Sequence, residues 1–433
     1  VHVFNTGDTA WVLISTGLVL FMVIGLALFY GGMVRSQHML HMILQNVLCI
    51  GIVTVTWLVI GFSLSFAGSS GLIGDLSQFG VQGLDTITLP GFVGGLALTV
   101  PNFAFFHFQM MFAIITPALI TGATADRLKL TSWAVFVTIW SIVVYPPVVK
   151  WIFSPVGWIA KMGGLDFAGG AVVHTTAGAA ALALLWVIGP RTGWPVKWRV
   201  QRPNSMPLVL LGTGILWFGW FGFNAGSSLG ANPHAVHALV NTQVAGAAGM
   251  TAWLIVEKIK EGSISSLGGA SGAIAGLAAI TPGAGYVDPF SALAIGILAG
   301  AICCYATGLK FVLRYDDALD VVAVHLVGGM FGTIAVGLFA DSAMSPGIEN
   351  GLFFGGGWHL FGVQALMVAV VFAFAFVLTL VIAFAIHRTM GLRVSLEQES
   401  KGLDISELLE RAYVHGAEDD DDGHRASGEG STV

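Results

Sequence analysis

Apolar runs of about twenty residues, parted by short polar breaks, recur along nearly the whole chain. A helix of that length matches the hydrocarbon thickness of a bilayer. Eleven such runs are legible, near residues 10–30, 40–66, 92–121, 131–150, 167–189, 207–227, 236–257, 265–281, 289–310, 321–340 and 360–387. The eighth, "SLGGASGAIAGLAAIT", is short and glycine-rich and carries the weakest signal. The pattern predicts an all-α integral membrane protein. Its eleven transmembrane helices form two inverted five-helix repeats plus a C-terminal helix.

The basic residues sharpen that reading. Alternate connections carry Arg35; Arg127 and Lys129; Arg191, Lys197, Arg199 and Arg202; Lys258 and Lys260; Lys310 and Arg314. The tail adds Arg388, Arg393, Lys401, Arg411 and Arg425, and only Lys150 and Lys161 fall on the other side. Positive loops stay cytoplasmic, so the expected topology has the N-terminus outside and the C-terminus inside. The divisions expected are 1–190 for the first half of the core, 191–340 for the inverted second half, 341–390 for an outer loop and last helix, and 391–433 for a cytoplasmic tail, disordered after about 416. Composition agrees with the membrane reading: 55% of the 433 residues are hydrophobic and 10% are charged, against about 25% charged in soluble domains. The three cysteines all lie in apolar runs and form no disulfide framework.

Two runs hold expensive residues. "LDFAGGAVVHTTAGAAALALLW" (165–186) carries Asp166 and His174, and "DDALDVVAVHLVGGMFG" (316–332) carries Asp320 and His325. Ionisable groups inside a bilayer mark pathways more often than packing, and here they occupy the last run of each half. A neutral imidazole both donates and accepts hydrogen bonds, so two neighbouring rings could relay a hydrogen bond or a proton. Asp166 is expected to cap the helix beginning "FAGG" and to bring a negative field that favours an incoming cation and the loss of its proton nearby. Asp320 is expected to act similarly, in structure and deprotonation, on the inner side. No metal-ligand spacing accompanies the histidines, and His38/His41 and His234/His237 sit at membrane edges. No cofactor, no nucleic-acid partner and no enzyme motif is expected; no nucleotide loop or nucleophile elbow is present.

Several longer motifs identify a relationship. "MMFAIITPALITGATADR" (110–127), "LDFAGGAVVH" (165–174), "GWFGFNAGSS" (219–228), "SGAIAGLAAITPGAGY" (271–286), "DDALDVVAVH" (316–325) and "GLDIS" (402–406) resemble the ammonium transporter family, Amt/Mep/Rh, and are closest to the microbial Amt type. The resemblance implies an eleven-helix protomer with inverted halves, a homotrimer with one pore per protomer, and nitrogen uptake across the cell membrane. By position, His174 and His325 match the twin pore histidines, Ser227 and Phe112 the outer recruitment site, Phe112 and Phe223 the phenylalanine gate, and Asp166 the critical acid. Thr281 matches a polar group near the pore, and Gln109 follows Phe108 as in the family. Recruitment of ammonium, its deprotonation and conduction of ammonia with net charge movement are implied, as is regulation by a PII-type signalling protein at a tail that includes Gly402, Asp404 and Tyr413.

Two departures qualify the match. Where the family places a recruiting Trp, this chain has Phe153 in "KWIFSPVGW", with Trp151 and Trp158 as possible substitutes. Trp is the better cation–π partner, so either recruitment is weaker here or one of those Trp residues takes the place. Because Rh-type relatives also lack that Trp, the resemblance slightly raises the alternative of an electroneutral gas channel for ammonia or carbon dioxide. In the tail, Leu408 and Leu409 replace the family's His-Gly after "GLDISE", which puts its usual coupling in question, while Leu403, Leu408 and Leu409 are all available for docking. An ammonium sensor is the remaining alternative.

Overall fold

The computed structural model describes residues 4–86, 98–195 and 203–413. The expected start of the third run at 92–97, the residues Lys197, Arg199, Arg202 and Arg425, and the disorder expected after about 416 lie outside the described residues. Among the described residues, ten helices are long and apolar enough to cross a membrane: α1 (Thr6–Met33), α2 (Ser36–Phe66), α3 (Asn102–Ile120), α4 (Leu130–Ile152), α5 (Gly170–Ile188), α6 (Met206–Gly226), α7 (Pro233–Glu261), α9 (Pro289–Leu313), α10 (Val322–Phe339) and α11 (His359–Thr389). The weakest run becomes α8, Ser266–Ile280, which is shorter. Fifteen residues rise about 22 Å, short of a hydrocarbon core of about 30 Å. Burial explains why this suffices: from Gly268 to Ile280 only Ser271 escapes full burial. A helix enclosed by protein need not match lipid thickness.

Local chemistry sets the ends. Asn5 caps α1 by accepting from the Asp8 amide at 3.0 Å. α3 begins only after Pro101, later than the apolar run suggests. α7 stops at Gly262, whose φ of +78° a side chain would resist. In the packing, α1 lies along α6, α7 against α8 and α9, and α11 against α5. No strand occurs among the described residues, and one isolated bridge joins Leu128 to Arg393.

The connections α1–α2, α3–α4, α5–α6 and α9–α10 meet on one face, as the alternation of basic residues requires. Arg191 pairs with Asp316 at 2.8 Å and approaches Asp126 at 3.6 Å, and Arg35 approaches Asp126 at 3.4 Å. Arg127, fully buried, donates to the Asp316 carbonyl at 2.6 Å and the Gly189 carbonyl at 2.9 Å. Toward the opposite end Lys150 is also fully buried; its ammonium donates to the Ala67 and Gly68 carbonyls at 2.7 and 3.2 Å. A buried cation is tolerable only with such partners.

The tail joins the first face. After α11 the chain runs past Lys129, whose amide donates to the Leu392 carbonyl at 2.9 Å, into the short helix α12 (Leu396–Lys401). Glu399 accepts from the Thr192 amide at 2.7 Å and from Arg393 at 2.6 Å. Asp404 accepts from the Leu40 and His41 amides at 3.1 and 2.9 Å, in the first full turn of α2. Glu407 accepts from the Leu130 amide, the first of α4, at 2.8 Å. Tyr413 donates to Asn204 at 2.9 Å. Of the three leucines expected to dock, Leu403 is fully buried, whereas Leu409 is 87% exposed. The anchoring is therefore by carboxylates at helix starts together with the buried Leu403, and Leu409 has no part in it. Gly402, at φ +102°, passes so close to Gln37 that a Cβ would lie 2.6 Å from the Gln37 Cβ. Gly402→Val is expected to lift the tail, and hydrogen exchange at Leu403 and Asp404 should quicken at least ~10-fold. Unchanged exchange would show that the contact at Gln37 does not hold the tail.

Candidate functional site

Two chemically matched segments cross in the middle of the bundle. Each histidine sits in a wide, π-helical turn: Gly170–Thr175 holds His174, and Val322–Val327 holds His325. Such turns open a helix locally and are frequent at functional positions. Each histidine has a glycine four residues on, and these glycines let the segments touch. A Cβ on Gly178 would lie 2.5 Å from Leu326, and one on Gly329 would lie 2.8 Å from the His174 Cβ.

The crossing brings the two rings together. Nδ1 of His325 lies 3.2 Å from Nδ1 of His174, and the rings stack at 5.2 Å with 15° between planes. One Nδ1–H must therefore donate to the other, bare Nδ1. That leaves an acceptor at Nε2 of the donating ring and a donor at Nε2–H of its partner. Both rings are buried, at 2% and 3% exposure, and His174 Nε2 has no partner among the described residues. The pair thus offers one hydrogen-bond donor and one acceptor to whatever passes.

Aromatic rings continue the line. Trp220 stacks on His174 at 5.5 Å, and Phe223 lies 6.2 Å from it. Phe223 in turn meets Phe112 at 4.3 Å, and Phe112 meets Phe108 at 5.0 Å. Phe112 and Phe223 are each 1% exposed, so the stack is shut. Ser227 closes the sequence at the end of α6, where its hydroxyl donates to the Phe223 carbonyl at 2.8 Å. Its lone pairs remain available to a cationic N–H donor. Thr281 takes part through Trp220: its hydroxyl accepts from the indole N–H at 2.9 Å and donates to the Leu277 carbonyl at 2.8 Å. Gln109 is buried, and its Oε1 has no hydrogen-bond partner among the described residues.

The other expected residues fall around this column. Asp166 accepts four amides: Gly169 and Gly170 on Oδ1 at 2.8 and 2.7 Å, Ala171 and Val172 on Oδ2 at 2.9 and 3.0 Å. It is the cap of the His174 turn, as expected. Asp320 is not the matching cap. It stands at φ +61° and pairs with Lys310 at 2.7 Å, while Asp317 accepts the Val322 amide at 2.7 Å. Trp151 packs edge-on against Phe374 at 4.6 Å and donates to the Leu72 carbonyl at 2.7 Å, away from the Phe112–Phe223 pair. Phe153, at the end of α4, is buried at 3% exposure. Sequence reading missed Asp317 and Trp220; the first was legible in its spacing, since Asp317 precedes His325 by the same interval that separates Asp166 from His174.

Fold and site together define a polytopic membrane protein with a narrow aromatic and imidazole track through its interior. The chain matches the Ammonium Transporter Family over residues 10–413. It is 46% identical over 431 residues to the ammonium transporter of Mycobacterium tuberculosis (strain ATCC 25618 / H37Rv), covering 94% of this chain and 90% of that one. A putative ammonium transporter of Methanothermobacter thermautotrophicus is 43% identical over 412 residues, covering 94% and 98%. Among solved structures, Candida albicans Mep2 superposes with a TM-score of 0.84 at 34% identity, covering 92% of this chain and 88% of that one. A structure described as a sensor Amt protein gives 0.83 at 31%, covering 93% and 98%. The chain belongs to the ammonium transporter family, and its function is ammonium transport rather than enzymatic catalysis.

Proposed function

We propose that nitrogen crosses as neutral ammonia along the His174–His325 pair, after ammonium has been recruited and deprotonated on the far side of the Phe112–Phe223 stack, with net charge movement. The observation that carries this reading is the buried donor–acceptor pair of imidazoles directly behind a shut aromatic gate. Energetics favour it. Taking a small cation into a dry interior costs on the order of 20 kcal/mol in an idealised estimate. A cation–π contact at Phe112 or Phe153 returns about 0.5–2 kcal/mol, and a hydroxyl such as that of Ser227 about 1.5–3. These suffice at a wet mouth and fall far short beyond the gate. A neutral molecule avoids the cost, and two imidazoles supply the hydrogen bonds that an apolar tube withholds. Potassium has no proton to lose, which makes the selectivity chemical.

On this reading the tail face is cytoplasmic, the mouth at Ser227 is external, and residues 1–190 and 191–340 are the inverted halves that bring the two histidines together. The protein works as a homotrimer in the cell membrane, with a PII-type signalling protein at the tail face; both rest on the family. Proteoliposomes on a solid-supported membrane are expected to give a saturable current on ammonium pulses and none on potassium pulses. Rapid ammonia-driven internal alkalinisation without current would instead make the protein an electroneutral channel.

A further inference from the structure

The two histidine segments repeat at an offset of 151 residues, and the repeat extends to the acids. Asp166 and Asp317 stand at equivalent intervals before His174 and His325, and each caps the π-helical turn that carries its histidine. They differ in what is left over. Asp166 has both oxygens occupied, by four amides. Asp317 commits Oδ2 to the Val322 amide at 2.7 Å, while Oδ1, in a residue 1% exposed, has no hydrogen-bond partner among the described residues. A buried, unpartnered carboxylate oxygen is costly and calls for a functional reason.

We propose that Asp317 is the proton-exchange residue at the tail-side end of the pore. This rests on the paired-histidine reading above. A proton arriving from the His325 side, carried by water, forms an O–H bond at Oδ1 as the bond that held it breaks. The same bond then breaks as the proton passes to water at the rim. Val322, whose amide Asp317 caps, opens the turn that carries His325 three residues on, roughly 4.5 Å along an ideal helix axis, so the carboxyl sits at the base of that turn.

The surrounding charges suit exchange. On its own connection Asp317 is flanked by Asp316, which Arg191 binds at 2.8 Å, and by Asp320, which Lys310 of α9 binds at 2.7 Å. Tyr315 and, from α1, Tyr30 complete the titratable groups that feel its charge. Burial first, and then the Asp320 charge, push the Asp317 carboxyl up to about 6, with Lys310 and the amides opposing. Its protonation state therefore changes around pH 6, within reach of the working range, which an exchange group needs. Asp166, committed to four amides, lacks such a site.

The test uses reconstituted full-length protein with two readouts, ammonium-driven current and ammonia-driven internal pH change. In the wild type, raising tail-side pH from about 5 to 7 should increase the current as the carboxyl ionises, with a midpoint near 6. Asp317→Asn keeps an oxygen for the Val322 amide but cannot exchange a proton. It should lose the pH step and at least ~10-fold in current, while neutral ammonia passage persists and Asp317→Glu regains the step. Current and pH step unaltered in Asp317→Asn would overturn the proposal. So would loss of current and neutral passage together, which is the result of a purely capping role. If the variant does not fold, the wild-type profile decides, since a flat profile between about 5 and 7 overturns it. Failure of the underlying reading looks different: no ammonium current in the wild type at any pH.

Discussion

His174→Ala is expected to reduce ammonium current by ~10-fold to ~100-fold without preventing the protein from folding. The variant removes the ring that pairs with His325 at 3.2 Å and stacks under Trp220. A translocating ammonia then loses one or two hydrogen bonds at the buried histidine pair, each worth about 0.5–1.5 kcal/mol. Every 1.4 kcal/mol at a limiting step is a factor of about ten. A second effect follows from the vacated space. Water entering beside Phe223 would lower the barrier to cations, so potassium exclusion should weaken as ammonium current falls. Solid-supported currents with alternating ammonium and potassium pulses measure both. Wild-type current with intact exclusion in His174→Ala would mean the histidines do not line the route.

The largest effect on stability is expected at Asp166. Its carboxylate serves four amides in the first turn of α5, with 7% of the residue exposed. Alanine strands all four donors away from water, at about 1–3 kcal/mol apiece. Even the lower figure gives about 4 kcal/mol, a large share of the 5–15 kcal/mol that typically separates folded from unfolded chains. Asn should fall between, since its single acceptor oxygen can keep about two of the four donors. Thermal unfolding in detergent, followed by helicity, should rank the wild type above Asp166→Asn and that above Asp166→Ala. Equal melting temperatures would contradict the cap's importance.

Bilayer thickness wrote the spans into the chain, which is why even the short α8 was found. The histidines were legible because a polar letter in an apolar run is conspicuous. The shapes of their turns were not. A π-helical turn depends on neighbouring helices, and nothing in "GAVVHT" or "VAVHLV" differs in pattern from ordinary helix. The assignment of Asp320 as the inner cap went astray for a related reason. Three aspartates crowd residues 316–320, and proximity to the apolar run favoured the last, whereas the interval to His325 singles out Asp317. Trp220 was passed over because tryptophan in a membrane helix reads as bulk, and its role appears only when α5 lies beside α6. In the tail, hydrophobicity pointed to Leu403, Leu408 and Leu409; Leu403 is buried and Leu409 is not, and hydrophobicity missed Asp404 and Glu407, which dock on open helix starts.

Those two carboxylates impose an order on biosynthesis. The amides they satisfy belong to α2 and α4, which leave the ribosome long before Asp404 and Glu407, since these follow α11. Until then the early helices wait with bare amides on the tail face. A chain truncated before residue 404 therefore leaves those amides to water. Sealing of that face thus waits on a segment that follows α11 in the chain.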